Sequence, residues 1–357
     1  MVNIQDLLRI SFEEKASDLH LTVGLPPLLR IHGELTTLEQ YEPLTHMQMQ
    51  EILAPLLDDA KKKKLDECGQ VDFSYGVRGL ARFRVNVFKQ RGTYAAVMRL
   101  IPVEIVPLEA LGLPHSVRYF TEKTRGLFLV TGPTGSGKST TLASMIDIIN
   151  TERRCHIITL EDPIEFLHKH KCSIVNQREI GTDTDSFSNG LRAALREDPD
   201  VILVGEMRDY ETIATAITAA ETGHLVFATL HTNDTVQTVD RIVDAFPPHQ
   251  QQQIRVQLSM TIIGVLSQQL LPRVDQPGRV VATEIMVANS AIRSLIREGK
   301  THQIRSMIQT GAKYGMITMD ASLRSLYQRR LVSFQEAYIR AIDQDEFRKY
   351  AEEARIS

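Results

Sequence analysis

The chain has 357 residues, a length that corresponds to about two or three domains and needs no disulfide or metal to stabilise its core. The formal net charge of −3 argues against a general nucleic-acid coat protein, although it leaves room for a local basic channel. Three cysteines, Cys68, Cys155 and Cys172, form no C-x-x-C pair, so neither a disulfide framework nor a zinc site is predicted, and a reducing cytoplasm is the simplest location. No signal peptide and no apolar run of about 20 residues is present, so a membrane span is not expected.

The first third of the chain, residues 1–101, is predicted to be a small α+β unit. Apolar residues at helical spacing over 4–16 and 45–65 indicate helices. Alternating residues over 81–87 indicate a strand with one apolar and one polar face, and a neighbouring β-like stretch covers 93–101. Three arginines lie on these two stretches: Arg82, Arg84 and Arg99.

Prolines and a glycine interrupt regular structure over 102–115, which we interpret as an interdomain linker. Strands then alternate with helices over 116–285, a pattern typical of an α/β domain with a parallel sheet. Residues 286–357 are predicted to contain helices only. The predicted fold is therefore α/β, preceded by the small α+β domain and followed by a helical region.

Residues 132–139 read Gly-Pro-Thr-Gly-Ser-Gly-Lys-Ser and match the phosphate-loop pattern G-x-x-x-x-G-K-[ST] between a predicted strand and a predicted helix. The glycines let backbone N–H groups face phosphate oxygens, and the helix N-terminus adds positive potential. We expect Lys138 to reach the β- and γ-phosphates and Ser139 to ligate Mg²⁺. A turn without a ligand is disfavoured because motif and context coincide. The predicted nucleotide-binding residues are Gly132, Pro133, Thr134, Gly135, Ser136, Gly137, Lys138, Ser139 and Thr140.

Carboxylates follow two other predicted strands. The apolar strand 201–204 is followed by Gly205 and Glu206, where a Walker B strand commonly ends in aspartate, and we expect Glu206 near Mg²⁺ through water. The segment 159–166 contains Glu161, Asp162 and Glu165 at a strand end that faces the ligand crevice of an α/β sheet. The alternative is that both segments are ordinary structural carboxylates.

Phosphoryl transfer to water requires a group that orients the water. Glu165 is the first candidate for this base, and Glu161 is the second. Asp162 is assigned to loop ordering or to the outer shell of the metal.

Two histidines bound the predicted strand 224–230. A spacing of seven residues places His224 and His231 on opposite faces and about 23 Å apart, too far to share one metal. His231 and the following Thr-Asn-Asp could sense the γ-phosphate. Judged from the residues alone, a structural role is favoured for both histidines.

These segments occur in the order found in the secretion ATPases of the type II/type IV pilus class, and the chain most closely resembles their PilT-type retraction ATPases. The matching segments are the phosphate loop, an aspartate box at 159–166, a Walker B-like segment at 201–209 and a histidine box at 223–234. The segment 291–298 also resembles a retraction motif, with Ser294 in place of the usual asparagine.

The resemblance implies a PAS-like N-terminal domain, a RecA-like P-loop ATPase domain and a ring-shaped homohexamer that hydrolyses ATP to retract the type IV pilus in twitching motility. It implies that ATP lies between the two domains, with Arg82, Arg84 and Arg99 as candidate arginine fingers and His224 and His231 as site residues. It also implies a cytoplasmic motor, peripheral at the inner-membrane pilus base, that acts on the platform protein of the pilus machine. An accessory retraction ATPase is a further candidate partner. No nucleic-acid partner is expected.

Three alternatives remain open. Pilus-assembly and type II secretion ATPases typically carry a four-cysteine zinc module and an extra N-terminal domain, for which this chain has neither the cysteines nor the length. An accessory retraction paralog is a second alternative. A RecA-like nucleic-acid translocase is less favoured because the chain lacks an aromatic and basic binding stretch. The direction of force follows from the resemblance alone.

Overall fold

The structure, a computed structural model, describes residues 3–31, 33–77, 79–101 and 104–356, with side chains up to residue 353. Two compact units are present: one contains Met1–Glu104 with Pro163–Leu167, and the other contains Ile105–Asp162 with His168–Ser357. The first two residues of the predicted linker, 102 and 103, lie outside the described residues.

The N-terminal unit is built on a six-stranded antiparallel sheet in the order β3-β2-β1-β6-β5-β4. One sheet face is apolar and packs against helices, as the alternately buried residues of the long strand β5 show. The elements are α1 (Ile4–Glu13), β1 (Asp18–Leu21), β2 (Leu28–Ile31), β3 (Glu34–Thr37), α2 (His46–Leu53), α3 (Asp59–Cys68), β4 (Gln70–Val77), β5 (Ala81–Gln90) and β6 (Thr93–Ile101).

The single helix predicted over 45–65 is wrong, because two helices occupy this stretch. A 3₁₀ turn over Ala54–Leu56 contains Pro55, which has no backbone N–H to continue the first helix. Asp58 then caps the second helix, since its side chain accepts a hydrogen bond from the backbone N–H of Lys61.

The second unit confirms the predicted α/β fold. Strands and helices are interspersed as far as β13, and helices alone follow. The elements are α4 (Arg118–Thr121), β7 (Gly126–Thr131), α5 (Lys138–Glu152), β8 (His156–Glu161), β9 (Ile174–Glu179), α6 (Phe187–Ala194), β10 (Val201–Val204), α7 (Tyr210–Glu221), β11 (Leu225–Leu230), α8 (Thr235–Asp244), α9 (Pro248–Thr261), β12 (Ile262–Pro272), β13 (Arg279–Val287), α10 (Ser290–Arg297), α11 (Ile304–Gln309), α12 (Met319–Gln328), α13 (Phe334–Tyr338) and α14 (Gln344–Ile356).

The sheet of this unit has the strand order β13-β12-β7-β11-β10-β8-β9. All neighbouring pairs are parallel except β12 with β13, which form an antiparallel pair at one edge. Every residue of β7, β10 and β11 is buried, as expected of central strands covered on both faces. The segments that leave β7, β8, β10 and β11 at their carboxyl ends therefore meet at one edge of the sheet.

The helices after β13 share an apolar cluster with the last two strands. Leu271 of β12 and Ala282 of β13 are buried with residues of α12, α13 and α14, among them Met319, Leu323 and Phe347. The β12–β13 hairpin thus forms one edge of the sheet and also packs against the C-terminal helices. Over the described part of the chain, no helix is long and apolar enough to cross a membrane.

The three cysteines carry free thiols. Cys68 is exposed in the N-terminal unit, and Cys172 is exposed in the second unit. Cys155 is partly buried, and its Sγ lies 3.2 Å from Oγ of Ser173.

Candidate nucleotide-binding site

The phosphate loop connects β7 to α5 through residues 132–137. Gly132, Gly135 and Gly137 all have positive φ, the backbone region that glycine tolerates best. A Cβ atom at Gly132 would lie 2.2 Å from the carbonyl oxygen of Gln268 in the neighbouring strand β12. Position 132 therefore requires glycine both for its backbone conformation and for the close approach of β12.

The loop has the features needed to hold a phosphate group. No side chain caps the N-terminus of α5, so its first N–H groups are available to an anion. Ser136 is only 3% exposed, and its Oγ has no hydrogen-bond partner among the described residues. Lys138 Nζ donates to the carbonyl oxygens of Gly132 at 2.9 Å and Pro133 at 3.0 Å, which holds the cation against the loop. These residues fit a nucleotide phosphate.

Gln268 of β12 holds the loop from its other side and was not anticipated from the sequence. Its Nε2 donates to the carbonyl oxygen of Ser136 at 2.7 Å, and its Oε1 accepts from Thr141 Oγ1 at 3.0 Å. The side chain is buried, with only 1% of the residue exposed. The available signal was the polar run Ser267-Gln268-Gln269 between apolar residues of one strand, since buried polar side chains need fixed partners.

The carboxyl ends of β8 and β10 approach each other closely because residue 205 is glycine. The N–H of Gly205 donates to the carbonyl oxygen of Leu160 at 2.7 Å, and a Cβ atom at position 205 would lie 3.0 Å from that oxygen. Glu161, at the end of β8, accepts hydrogen bonds on Oε1 from Thr159 Oγ1 at 2.6 Å and from Gln177 Nε2 at 3.0 Å. Its carboxylate is therefore oriented at the edge that carries the phosphate loop.

Glu206, the next residue after Gly205, contacts two basic side chains. Its Oε1 lies 3.0 Å from Nε2 of His231 and 2.5 Å from Nε of Arg208. Burial opposes ionisation of Glu206, but the hydrogen bond from Arg208 and the nearby His231 outweigh it and lower the pKa of the carboxyl. Arg208 was not anticipated from the sequence, although its spacing of two residues from Glu206 at a strand end was a visible signal. Together, Arg208 and His231 keep Glu206 ionised beside the phosphate loop.

The other residues of the aspartate box lie beyond the end of β8. Asp162 is exposed, and its charge helps to raise the pKa of Arg208, after the larger effects of the hydrogen bond to Glu206 and the charge of Glu206. Glu165 is also exposed and lies in Pro163–Leu167, the segment that groups with the N-terminal unit.

The two histidines of the histidine box lie at opposite ends of β11. This strand pairs with β7 from Leu225 opposite Gly126 to Leu230 opposite Thr131, so His231 reaches the edge of the phosphate loop. His224 lies at the other edge, about 23 Å away, with Nδ1 2.9 Å from the carbonyl oxygen of Ala219. The structure therefore does not bring His224 to the phosphate loop of its own chain.

The three predicted arginines lie on the polar face of the N-terminal sheet. Arg84 of β5 stands directly opposite Arg99 of β6, and Arg82 is two residues from Arg84 on the same face. Like charges opposite each other repel. Arg99 is compensated by Asp18, whose buried carboxylate accepts from Arg99 Nε at 2.8 Å. The face is cationic and suited to an anion.

Within the described residues, no group of three or more histidine, cysteine, aspartate or glutamate side chains is arranged to hold a metal ion. A metal in this site would thus depend on phosphate oxygens as well as on protein ligands, as is usual for Mg²⁺ bound with a nucleotide.

Comparison with known proteins places the chain in a family. A family model described as "Type II/IV secretion system protein" matches residues 3–353. The chain is 49% identical to the type IV pilus retraction ATPase PilT of Pseudomonas aeruginosa over 94% of its own length and 97% of the relative. It is 48% identical to a twitching motility protein of Neisseria gonorrhoeae over 95% of its length and 90% of the relative.

A solved structure has the same architecture. The crystal structure of the pilus retraction motor PilT with bound ADP superposes with a TM-score of 0.91 at 50% identity, covering 98% of this chain and 100% of the other. The family match extends over both structural units and includes every segment of the candidate site. The chain belongs to the type II/IV secretion system protein family.

Proposed function

We propose that the protein is an ATP hydrolase that drives retraction of type IV pili. The observation that carries the proposal is the near full-length similarity, at about half of all positions, to relatives named for pilus retraction and twitching motility. The phosphate loop, Glu161, Glu206 and His231 supply an edge of the sheet that suits nucleotide hydrolysis.

In this proposal the loop binds the β- and γ-phosphates, Lys138 neutralises them, and Ser139 and Thr140 lie in the first turn of α5 beneath them. Mg²⁺, if bound with ATP, would neutralise the phosphate oxygens, with Ser139 as a ligand and Glu206 and Asp162 in its outer shell. Glu165 remains the first candidate for the residue that orients the attacking water, and Glu161 the second.

His231 and Glu206 form a pair whose interaction depends on the negative charge of a neighbouring phosphate. An ionised Glu206 accepts from His231, so the imidazole is held beside the position of the terminal phosphate at the edge of the sheet. Loss of that phosphate removes one of the two negative charges beside the imidazole, so the carboxylate of Glu206 remains as its one anionic partner. We propose that this pair senses the γ-phosphate.

The N-terminal arginines are proposed to complete the site in a homohexamer. Arg82, Arg84 and Arg99 form a cationic face, and a second cation at the γ-phosphate stabilises the charge that develops during transfer. The position of His224, at the far edge of its own sheet, means that a neighbouring copy must bring it to a nucleotide if it acts in hydrolysis. The stretch 102–115 is proposed as the linker between the N-terminal domain 1–101 and the ATPase domain 116–285, with the helical region at 286–357.

The proposed partners are the platform protein of the pilus machine and an accessory retraction ATPase, at the inner-membrane base of the pilus. Deleting the gene in host cells tests the direction of work. Excess surface pili and loss of twitching would support retraction, whereas cells without pili would support assembly. ATPase activity of the purified chain that rises on addition of DNA would favour the nucleic-acid translocase instead.

A further inference from the structure

One buried carboxylate lies outside the site described above. Glu284 belongs to β13 and is only 2% exposed. It stands opposite Ser267 of β12 in the antiparallel pair. Ser267 is hydrogen-bonded, Oγ to Oγ1 at 2.8 Å, to Thr131, the last residue of β7 before the phosphate loop. Glu284 is therefore at the same end of the sheet as the nucleotide-binding edge.

The carboxylate of Glu284 joins the first residues of two helices. Its Oε1 accepts from the backbone N–H of Thr235 at 2.9 Å, at the start of α8. Its Oε2 accepts from the backbone N–H of Met319 at 3.3 Å, at the start of α12. Helix N-termini carry partial positive charge and favour an anion between them.

This bridge is not needed to cap either helix. Asp234 caps α8 through the N–H of Gln237, and Thr318 caps α12 through the N–H of Ala321. Burial raises the pKa of Glu284, while the N–H of Thr235 opposes that rise. An apolar side chain would avoid the desolvation of a carboxylate altogether, so a carboxylate with two engaged acceptors at this point calls for a role beyond filling space.

The two helices belong to different parts of the unit. Helix α8 begins four residues after His231, which contacts Glu206. Helix α12 belongs to the C-terminal helices, which share an apolar cluster with Leu271 and Ala282 of the β12–β13 hairpin. A carboxylate that holds the first turns of both helices fixes their starts relative to the strand beside the phosphate loop.

We propose that Glu284 is a positioning residue that fixes the start of α8, and with it His231, relative to the phosphate loop, and that ties this arrangement to α12 and the C-terminal helices. The proposal rests on the proposed ATPase function. Glu284 touches neither nucleotide nor water in this role and acts through His231.

The first test is Glu284→Gln in the full chain. The amide keeps the volume and one acceptor, but its NH₂ group faces a backbone N–H that it cannot accept from. We expect kcat for ATP hydrolysis to fall about tenfold or more with KM for ATP little changed, since the catalytic edge is displaced while the phosphate loop is intact.

Asp320→Asn provides the matched control. Asp320 is also a buried carboxylate of α12. It accepts from the backbone N–H groups of Ile342 at 2.7 Å and Asp343 at 3.2 Å and pairs with Arg305 of α11, and none of these three partners belongs to α8. If both variants lower the melting temperature but only Glu284→Gln lowers kcat, the positioning role is supported. If kcat is unchanged in Glu284→Gln, or falls equally in both variants, the proposal is overturned. If the wild-type chain hydrolyses no ATP, the proposed function fails instead.

A second variant removes the same contact from the other side. Thr235 is the first residue of α8, a position where proline is tolerated, and the extended backbone of Asp234 suits a residue before proline. Thr235→Pro deletes the backbone N–H group that donates a hydrogen bond to Glu284. Ser290→Pro, at the exposed first residue of α10, is its control. The proposal predicts a fall in kcat for Thr235→Pro alone, and combining it with Glu284→Gln should add little. Wild-type turnover in Thr235→Pro would overturn it.

Discussion

Nε2 of His231 lies 3.0 Å from Oε1 of Glu206, and the two residues follow adjacent parallel strands at the edge that carries the phosphate loop. We expect His231→Ala to lower kcat for ATP hydrolysis by about a hundredfold while ATP binding persists, because the imidazole is proposed to act beside the terminal phosphate and not on the rest of the nucleotide. Steady-state hydrolysis and fluorescent-nucleotide titration measure the two effects. His249→Ala, which removes an exposed histidine of α9, is the control. Equal activity in the two variants would contradict the assigned role.

Lys138→Ala is expected to abolish hydrolysis and to weaken nucleotide binding. The substitution removes the cation of the loop and also two hydrogen bonds that Nζ makes to carbonyl oxygens of Gly132 and Pro133. Isothermal titration with ATP and phosphate-release assays check both expectations. Replacement of the exposed Lys169 by alanine should leave both quantities unchanged, and normal turnover in Lys138→Ala would refute the phosphate site.

Two glutamate variants test which residue acts as the base that orients the attacking water. We expect Glu165→Gln to retain ATP binding and to stop turnover, while Glu161→Gln lowers turnover less, because the Glu161 carboxylate is already engaged by Thr159 and Gln177. Single-turnover hydrolysis with bound ATP separates the chemical step from binding. Should Glu161→Gln alone stop that step, Glu161 is the base.

Gln268→Leu should loosen the phosphate loop without touching the nucleotide. The substitution leaves the carbonyl oxygen of Ser136 and the hydroxyl of Thr141 without their buried partner, a cost of about 1–3 kcal/mol for each group that stays unsatisfied. We expect about a tenfold rise in the dissociation constant for ATP. The adjacent Gln269→Leu, whose side chain is only partly buried and points to the other face of the strand, is the matched control. Similar affinities in the two variants would disprove the clamp.

Acid should destabilise the second unit through His168. Burial, and to a smaller extent Lys171, lower the pKa of His168 to about 4 from its ordinary value of 6.5, against the opposing charge of Asp147. The unfolded chain therefore binds the proton more readily than the folded chain, and the stability present above pH 6.5 is lost as the pH falls toward 4. The full difference corresponds to about 3 kcal/mol.

His168→Phe tests this expectation, since phenylalanine fills the site without titrating. Above pH 7 the melting temperatures of the wild type and the variant should change with pH to the same extent. Between pH 6 and pH 4.5 the melting temperature of the wild type should fall more steeply than that of the variant. Parallel pH profiles for the two proteins would show that His168 contributes nothing to acid sensitivity.

The parts of the site that sequence analysis predicted are those in which one local segment contains all the information. The phosphate loop is such a segment, because its glycines, lysine and flanking strand and helix are contiguous. Strand 201–204 agrees with the predicted bounds because four apolar residues are enclosed by Pro199 and Gly205.

Contacts between distant segments could not be predicted in this way. β12 begins directly after α9 with no turn signal, so the strand that carries Gln268 gives no local mark of its start. A period-two pattern fixed the separation of His224 and His231 but could not state which edge of the sheet each one reaches. That depends on the parallel register of β11 with β7, which only the folded chain contains.

The exposed thiols of Cys68 and Cys172 have a practical consequence for measuring motion. One lies in each structural unit, so replacing the partly buried Cys155 with serine leaves a pair of natural attachment points for a donor and an acceptor dye. Energy transfer between the two dyes would then report the separation of the units in the absence of nucleotide, with ATP and with ADP. Because the chain has few cysteines, the separation of the two units can be measured in each nucleotide state without any engineered residue on its surface.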